Sequence, residues 1–191
     1  MDAESHPAKS PGNMPHAVDV LDAIRRRRFY RAFEDRPVPS EVLDRLAWAA
    51  GRAQQAWAGA RHLVIVDDSV LMETARQILP GFVNNSPAMI VICTDTGRVS
   101  QALGRRDADH NSRLDSGAAA AHIALAARAF SLGACTVTSW HESAVRALLD
   151  LPDHIRPDVT VAIGYPLPGR SAASAAEYAP TLHRNRYTTP H

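Results

Sequence analysis

Asp115-Ser116-Gly117-Ala118-Ala119-Ala120-Ala121-His122-Ile123-Ala124-Leu125-Ala126-Ala127-Arg128-Ala129-Phe130-Ser131-Leu132-Gly133-Ala134-Cys135 is the stretch on which the fold turns. Asp115 can cap a helix N-terminus, the Ala-rich run can fill the helix, and Gly133 can stop it. The run is apolar on nearly every face, so the helix it predicts must be buried on most sides. Ala134 to Thr138 follows at once as a strand.

Working outward, short apolar strands alternate with helical periods. Upstream, Ala17, Val20, Leu21 and Ile24 form one helix face, and Phe29 to Arg36 reads as extended. Pro37 and Pro39 break that segment before a helix from Ser40 to about Gln55, with Leu43, Leu46, Ala47 and Ala50 inward. His62 to Val66 is a strand. Ser69 can cap a helix with Leu71, Ala75 and Ile78 inward, ending at Pro80-Gly81, and Ala88 to Cys93 is a continuous apolar strand. Asp95 to Leu114 is polar without a clean period, which predicts a lid or mobile excursion. Downstream, Glu142 to Leu149 is a short helix and Val159 to Ile163 a strand, while Tyr165 to His191 reads as an arm lying over another surface. The alternation predicts a mixed α/β domain. Residues 1–16 are expected to be a flexible N-terminal tail and 17–191 one domain with a C-terminal arm.

Bulk properties narrow the function classes. A chain of 191 residues with 46% hydrophobic content can build one real core. With 21 Lys+Arg against 20 Asp+Glu, no overall field favours nucleic acid or an anionic membrane. No run approaches the roughly 18 apolar residues of a membrane span, and the first residues carry no signal-peptide core. Cys93 and Cys135 both lie in apolar strands, where a free thiol is a core filler, so a reduced, cytoplasmic setting is expected.

One charged feature is local. Arg25-Arg26-Arg27-Arg28-Phe29-Tyr30-Arg31-Ala32-Phe33 places five guanidiniums in seven positions at the end of the first helix. Successive residues point about 100° apart, so at most two or three can converge on one anion. Cations at a helix C-terminus also suit the helix dipole without any ligand.

These features, together with Val38-Pro39-Ser40-Glu41-Val42-Leu43 and Val161-Ala162-Ile163-Gly164-Tyr165-Pro166, follow an order that resembles the FMN-dependent nitroreductase family over about Val18 to Tyr187. The resemblance implies a nitroreductase-like α/β (α+β) fold: a central mixed sheet flanked by helices, in an intertwined homodimer with the flavin between subunits. Ala118 to Leu132 would then lie at or near the interface. The family holds the FMN phosphate with an Arg-Arg-Ser-x-Arg pattern. Arg27, Arg28 and Arg31 match its cations, and Phe29 stands in the Ser position, so either guanidiniums alone hold the phosphate or the site has changed. His183-Arg184-Asn185-Arg186-Tyr187 resembles the terminal segment that sends another cation there, with Arg186 first and Arg184 in reserve; a solvated basic tail is the alternative. The family's Ala-Pro-Ser-x-x-Asn-x-Gln loop is replaced by Ala53 to His62, without the Asn or Gln. Gln54, Gln55 or Arg61 could reach the flavin edge instead and Trp57 could wall the pocket, or the loop is a surface turn. The flavin N5 would face the backbone of the segment Cys135 to Trp140, with Thr138 and Ser139 at the two positions toward the ring and Thr136 and Val137 beside them, where the threonines also satisfy ordinary strand preference.

The implied activity is an FMN-dependent oxidoreductase in which NADH or NADPH donates hydride and a nitroaromatic or quinone-like small molecule accepts it by a ping-pong scheme. Trp57 and Asp95 to Leu114 would shape the acceptor side. Two other readings stay open. Pro80-Gly81-Phe82, Ser86-Pro87-Ala88 and Cys135-x-Val137-x-Ser139 also look like the small flavin subunit of cyclic dipeptide oxidases, which implies a dehydrogenase or oxidase of an amide. Phe29 and the missing Asn suit a non-enzymatic flavin-holding homologue. Rossmann, P-loop, zinc-protease and nucleophile-elbow motifs are absent, and no metal site is expected.

Overall fold

A computed structural model describes residues 18–79, 85–167 and 182–187, the side chains of residues 103 and 105–107 apart. The elements are α1 (Val20–Arg26), α2 (Ser40–Gly51), β1 (Arg61–Val66), α3 (Ser69–Ile78), β2 (Ala88–Asp95), α4 (Thr96–Leu103), α5 (Arg105–Ala129), β3 (Gly133–Val137), α6 (Glu142–Leu148) and β4 (Ile155–Gly164). The sheet order is β1-β2-β4-β3 with antiparallel neighbours, and an isolated Phe29–Ala134 bridge runs parallel.

Both faces of the sheet are covered, which explains why β2 is apolar without alternation. Ala88, Ile90 and Ile92 face a core shared with Leu43, Leu46, Ala47 and Ala50 of α2 and with Ala119, Ala120, Ile123 and Ala127 of α5. Met89, Val91 and Cys93 face a second core with Phe33, Met72 and Ala75 of α3 and Val145 of α6. The α2 face is the expected one. On α3, the cap is Asp68, whose carboxylate accepts from the amides of Val70 and Leu71, and not Ser69. Met72 turns inward where Leu71 was expected, and Leu71 is exposed. The expected Pro80-Gly81 end lies outside the described residues, as do the N-terminal tail and most of the C-terminal arm.

The largest correction concerns Asp95 to Leu114. Instead of an irregular lid it forms α4 and the first turns of α5, joined at Gly104 with φ +75°. Asp95 caps α4 by accepting from the amide of Arg98. Asp115 therefore sits inside a 25-residue helix and caps nothing. Polar residues hide the period here because Asp109 and Ser112 turn toward an arginine distant in the chain, as described below.

Gly133 is also reassigned. The helix ends in a Schellman turn in which Leu132 N–H donates to Ala127 C=O (2.9 Å) and Ser131 N–H to Arg128 C=O (3.2 Å), with Ser131 at φ 57°. Gly133 opens β3, where a Cβ would lie 2.7 Å from the Tyr30 ring. Its small size admits Tyr30, which brings the segment after α1 onto the sheet edge. Tyr30 N–H donates to Ala134 C=O (3.3 Å), and Asn85 grips Phe33 by accepting from its N–H (2.9 Å) and donating to its C=O.

Candidate functional site

A groove of about 490 Å³ opens between α1, α5 and the edge strand β3. Its volume falls within the range of small-molecule and cofactor sites. Ala134, Thr136 and Thr138 alternate toward it, as a strand requires, while Cys135 and Val137 turn into the second core. The floor is Gly117, Ala120, Ala121, Ala124 and Leu125 of α5, with Val159 of β4 beneath; Ile24, Arg27 and Phe29 form the remaining wall. Small side chains on α5 keep the floor shallow enough for a flat molecule. Arg27 is the one charged lining residue among those described.

The arginine run resolves into separate tasks. Arg25 and Arg26 both donate to Asp22 Oδ1, at 2.7 and 2.8 Å, and these paired guanidiniums hold the Asp22 carboxyl below its usual range. Arg28 Nη1 donates to the carbonyls of Arg25 (2.9 Å) and Arg27 (3.0 Å), closing the helix end on itself. Arg31 lies beside Cys135: burial pushes that thiol up, and the Arg31 guanidinium pulls it back. Arg27 turns into the groove with its guanidinium carbon 4.5 Å from the Phe29 ring centroid. Of the residues expected to hold a cofactor, the fold therefore joins Arg27, Phe29, Thr136 and Thr138 in one groove. Arg28, Arg31 and Val137 are directed elsewhere by their side chains. Ser139 is exposed just beyond the strand, and Arg184 and Arg186 are exposed on a short turn closed by Arg186 N–H donating to Arg184 C=O (2.8 Å).

Arg61 does not face the groove. Its Nη1 donates to the carbonyls of Ala50 (2.8 Å) and Ala53 (3.2 Å), and its Nη2 to those of Asp115 (3.1 Å) and Gln54. Burial lowers its pKa, the Asp115 carboxylate opposing that shift. From the other side Asp115 Oδ2 accepts from Ala56 N–H (2.6 Å). The loop is thus stapled to α2 and α5 from beneath, and Trp57 stands 47% exposed at its tip. His122 bonds the Ala49 carbonyl (3.1 Å), joining α5 to α2.

A second polar assembly was not legible in sequence. Asp158, whose side chain is 1% exposed, accepts from Thr94 Oγ1 (2.5 Å), Ser116 Oγ (2.8 Å) and Arg156 Nε (2.6 Å). Arg156 also donates to Asp109 Oδ1 (2.6 Å) and Ser112 Oγ (2.7 Å). The partners come from β2, β4 and α5, far apart in the chain. Among the described residues no cluster of His, Cys, Asp or Glu could hold a metal ion, and no helix is long and apolar enough to cross a membrane.

The donor set of the groove suits a flat ring carrying an anionic tail: an apolar floor, two hydroxyls along one edge and a single guanidinium in the wall. The nitroreductase family model matches residues 53–165. A Methanothermobacter thermautotrophicus protein carrying the provisional name NADH dehydrogenase/NAD(P)H nitroreductase is 28% identical over 160 residues, covering 78% of each chain. The FMN reductase (NADPH) of Bacillus subtilis is 26% identical over 168 residues, 78% of this chain and 66% of its own. A solved Parabacteroides distasonis structure under the same provisional name as the first superposes with TM-score 0.74 at 28% identity, covering 88% of this chain and 98% of the other. Since the family model spans more than half of its length, the chain belongs to the nitroreductase family of oxidoreductases.

Proposed function

We propose that the protein is an FMN-dependent oxidoreductase that takes hydride from NADH or NADPH and passes it to a flat, electron-poor acceptor of the nitroaromatic or quinone type. The observation that carries this reading is the groove in which Arg27, Thr136 and Thr138 converge over the apolar floor of α5. The names of the Bacillus subtilis and Methanothermobacter relatives support the flavin and the nicotinamide donor.

When bound, FMN would supply the hydride-carrying ring, and the chain's own residues would do the rest. Arg27 would hold the phosphate through charge-assisted hydrogen bonds. Thr136 and Thr138 would present hydroxyls and the exposed edge of β3 to the ring, while Gly117, Ala120, Ala121 and Ala124 would support its face and exclude water. No carboxylate lines the groove among the described residues, so nothing there selects a cationic acceptor.

The reading extends to assembly. Val20, Leu21 and Ile24 of α1 and Leu114 of α5 are exposed apolar residues, and Ala121 of α5 is exposed as well. A second copy of the chain would cover this face in a homodimer whose interface belongs to the large obligate class, above about 2,000 Å². Residues 17–191 would act as one domain, in the cytoplasm, with Arg184 and Arg186 as further candidates for the phosphate.

An absorption spectrum of the purified protein, followed by anaerobic NAD(P)H addition, tests the proposal. Yellow colour that bleaches is the expected result. Colour that nicotinamides leave unchanged would reject the reductase reading, and a colourless protein that takes up no added FMN would reject the flavin. Sedimentation as a flavin-bearing monomer at micromolar concentration would reject the dimer.

A further inference from the structure

We propose that Phe29 makes Arg27 a phosphate-binding side chain by stacking beneath its guanidinium, and that it thereby sets the preference of the groove for a phosphorylated flavin over the dephosphorylated form. The inference rests on the FMN reading above. It starts from the way the arginine run is used: Arg25 and Arg26 are paired with Asp22, Arg28 is bonded to backbone carbonyls, and Arg31 lies against Cys135. Arg27 is left facing the groove, and its contact with the Phe29 ring is 4.5 Å from guanidinium carbon to centroid.

Stacking engages the flat face of a guanidinium and leaves its in-plane N–H donors free. A long side chain held this way has already lost much of the rotamer freedom that binding would otherwise remove, so less affinity is lost to ordering. Phe29 is 45% exposed, which rules out a role as a core filler, and its backbone is fixed to β3 through the Phe29–Ala134 bridge. The backbone that carries the ring is therefore anchored at the groove wall, with the guanidinium over the ring. A serine at position 29 would add one hydroxyl but offer no face for Arg27. The aromatic residue replaces a direct donor with a support for the donor that remains.

The test is titration of the full-length apoprotein with FMN and with riboflavin, followed by flavin fluorescence, in the wild type and in Phe29→Leu, Phe29→Tyr, Arg27→Ala and the Arg27→Ala/Phe29→Leu double variant. Phe29→Leu should weaken FMN about two- to fivefold, the scale of an exposed guanidinium–ring contact, and riboflavin by a smaller factor. Phe29→Tyr should restore FMN affinity, and the effect of Phe29→Leu on FMN should shrink to its effect on riboflavin once Arg27 is gone. Equal losses for both flavins in Phe29→Leu would make Phe29 a wall of the ring site and overturn the proposal, as would unchanged FMN affinity. A wild type that binds FMN and riboflavin equally would also overturn it while leaving the flavin reading intact. A wild type that binds neither would overturn both.

Discussion

From Asp109 to Ser116, α5 turns a carboxylate and two hydroxyls toward Arg156 and Asp158, whose charges meet inside the protein. From Gly117 to Leu125 the same helix turns glycine, alanine and leucine toward a groove in which Arg27 faces no acidic lining residue among those described. The first half is electrostatically closed, since each buried charge has its counter-charge and hydrogen bonds within the chain. The second is open, with apolar surface and a cation directed at space that a ligand or a second subunit can fill. A buried network that is satisfied internally supports the fold, whereas a convergent set lacking internal partners points to a site.

The sharpest way to break this contrast is at Asp158. Asp158→Ala would leave Arg156, Thr94 and Ser116 without their shared acceptor, and should destabilise the protein by about 3–5 kcal/mol in urea unfolding, the cost of breaking a buried pair. A loss below about 1 kcal/mol would mean that the network is not closed as described.

Arg27→Ala should do the opposite. Chain stability should change by no more than about 0.5 kcal/mol, while FMN binding falls by about 1.5–3 kcal/mol, the scale of a hydrogen bond to a charged group. Arg28→Ala serves as the control beside it. Its own-helix bonds predict a loss of about 0.3–1 kcal/mol in stability with FMN affinity unchanged, so equal flavin losses in the two variants would show that both cations reach the phosphate.

A smaller effect is expected at the staple under Trp57. Arg61→Met removes the donors to four carbonyls and should lower stability by about 1–3 kcal/mol, with faster hydrogen exchange at the Ala56 amide, which Asp115 holds from the other side. Unchanged exchange at Ala56 would show that Asp115 fixes the loop alone.

The smallest effect concerns acid pH. Hydrogen bonding from Arg113, with burial opposing and Arg156 adding to the attraction, depresses the Asp109 pKa. A carboxyl whose folded pKa is lowered contributes stability that is present above its unfolded value, 3.8, and lost as pH falls through the folded one. Asp109 is half-exposed, so Asp109→Asn should reduce stability at neutral pH by less than about 0.5 kcal/mol and flatten the acid limb below pH 4. An unaltered acid limb in urea unfolding would place the ion pair outside the energetics.

The strands and most helices were legible because their apolar periods are local. The inner face of α2 reads directly from Leu43, Leu46, Ala47 and Ala50, and the continuous run of β2 announces burial on both sides. The region from Asp95 to Leu114 was misread because its polar residues look like solvent-facing loop chemistry unless their partners are known. Asp109 and Ser112 find theirs in Arg156, more than forty residues downstream. Gly133 was misread for a related reason: a glycine after a helix is a common stop, and only the arrival of Tyr30 shows that it is needed for clearance.

By itself the sequence determined the alternation of helices and strands, the long Ala-rich helix, the lack of a metal motif, and the resemblance to the nitroreductase family carried by the order of the Arg-rich turn, buried helix and final strand. The tertiary structure alone decided which arginine faces the groove, which threonines accompany it, and that Arg61 serves the backbone of a loop. Secondary structure follows from contacts within a few residues, so periodicity reveals it. The direction and partners of a long cationic side chain depend on carboxylates, carbonyls and rings brought close from distant parts of the chain, and no local pattern encodes which of five neighbouring guanidiniums will be left uncommitted.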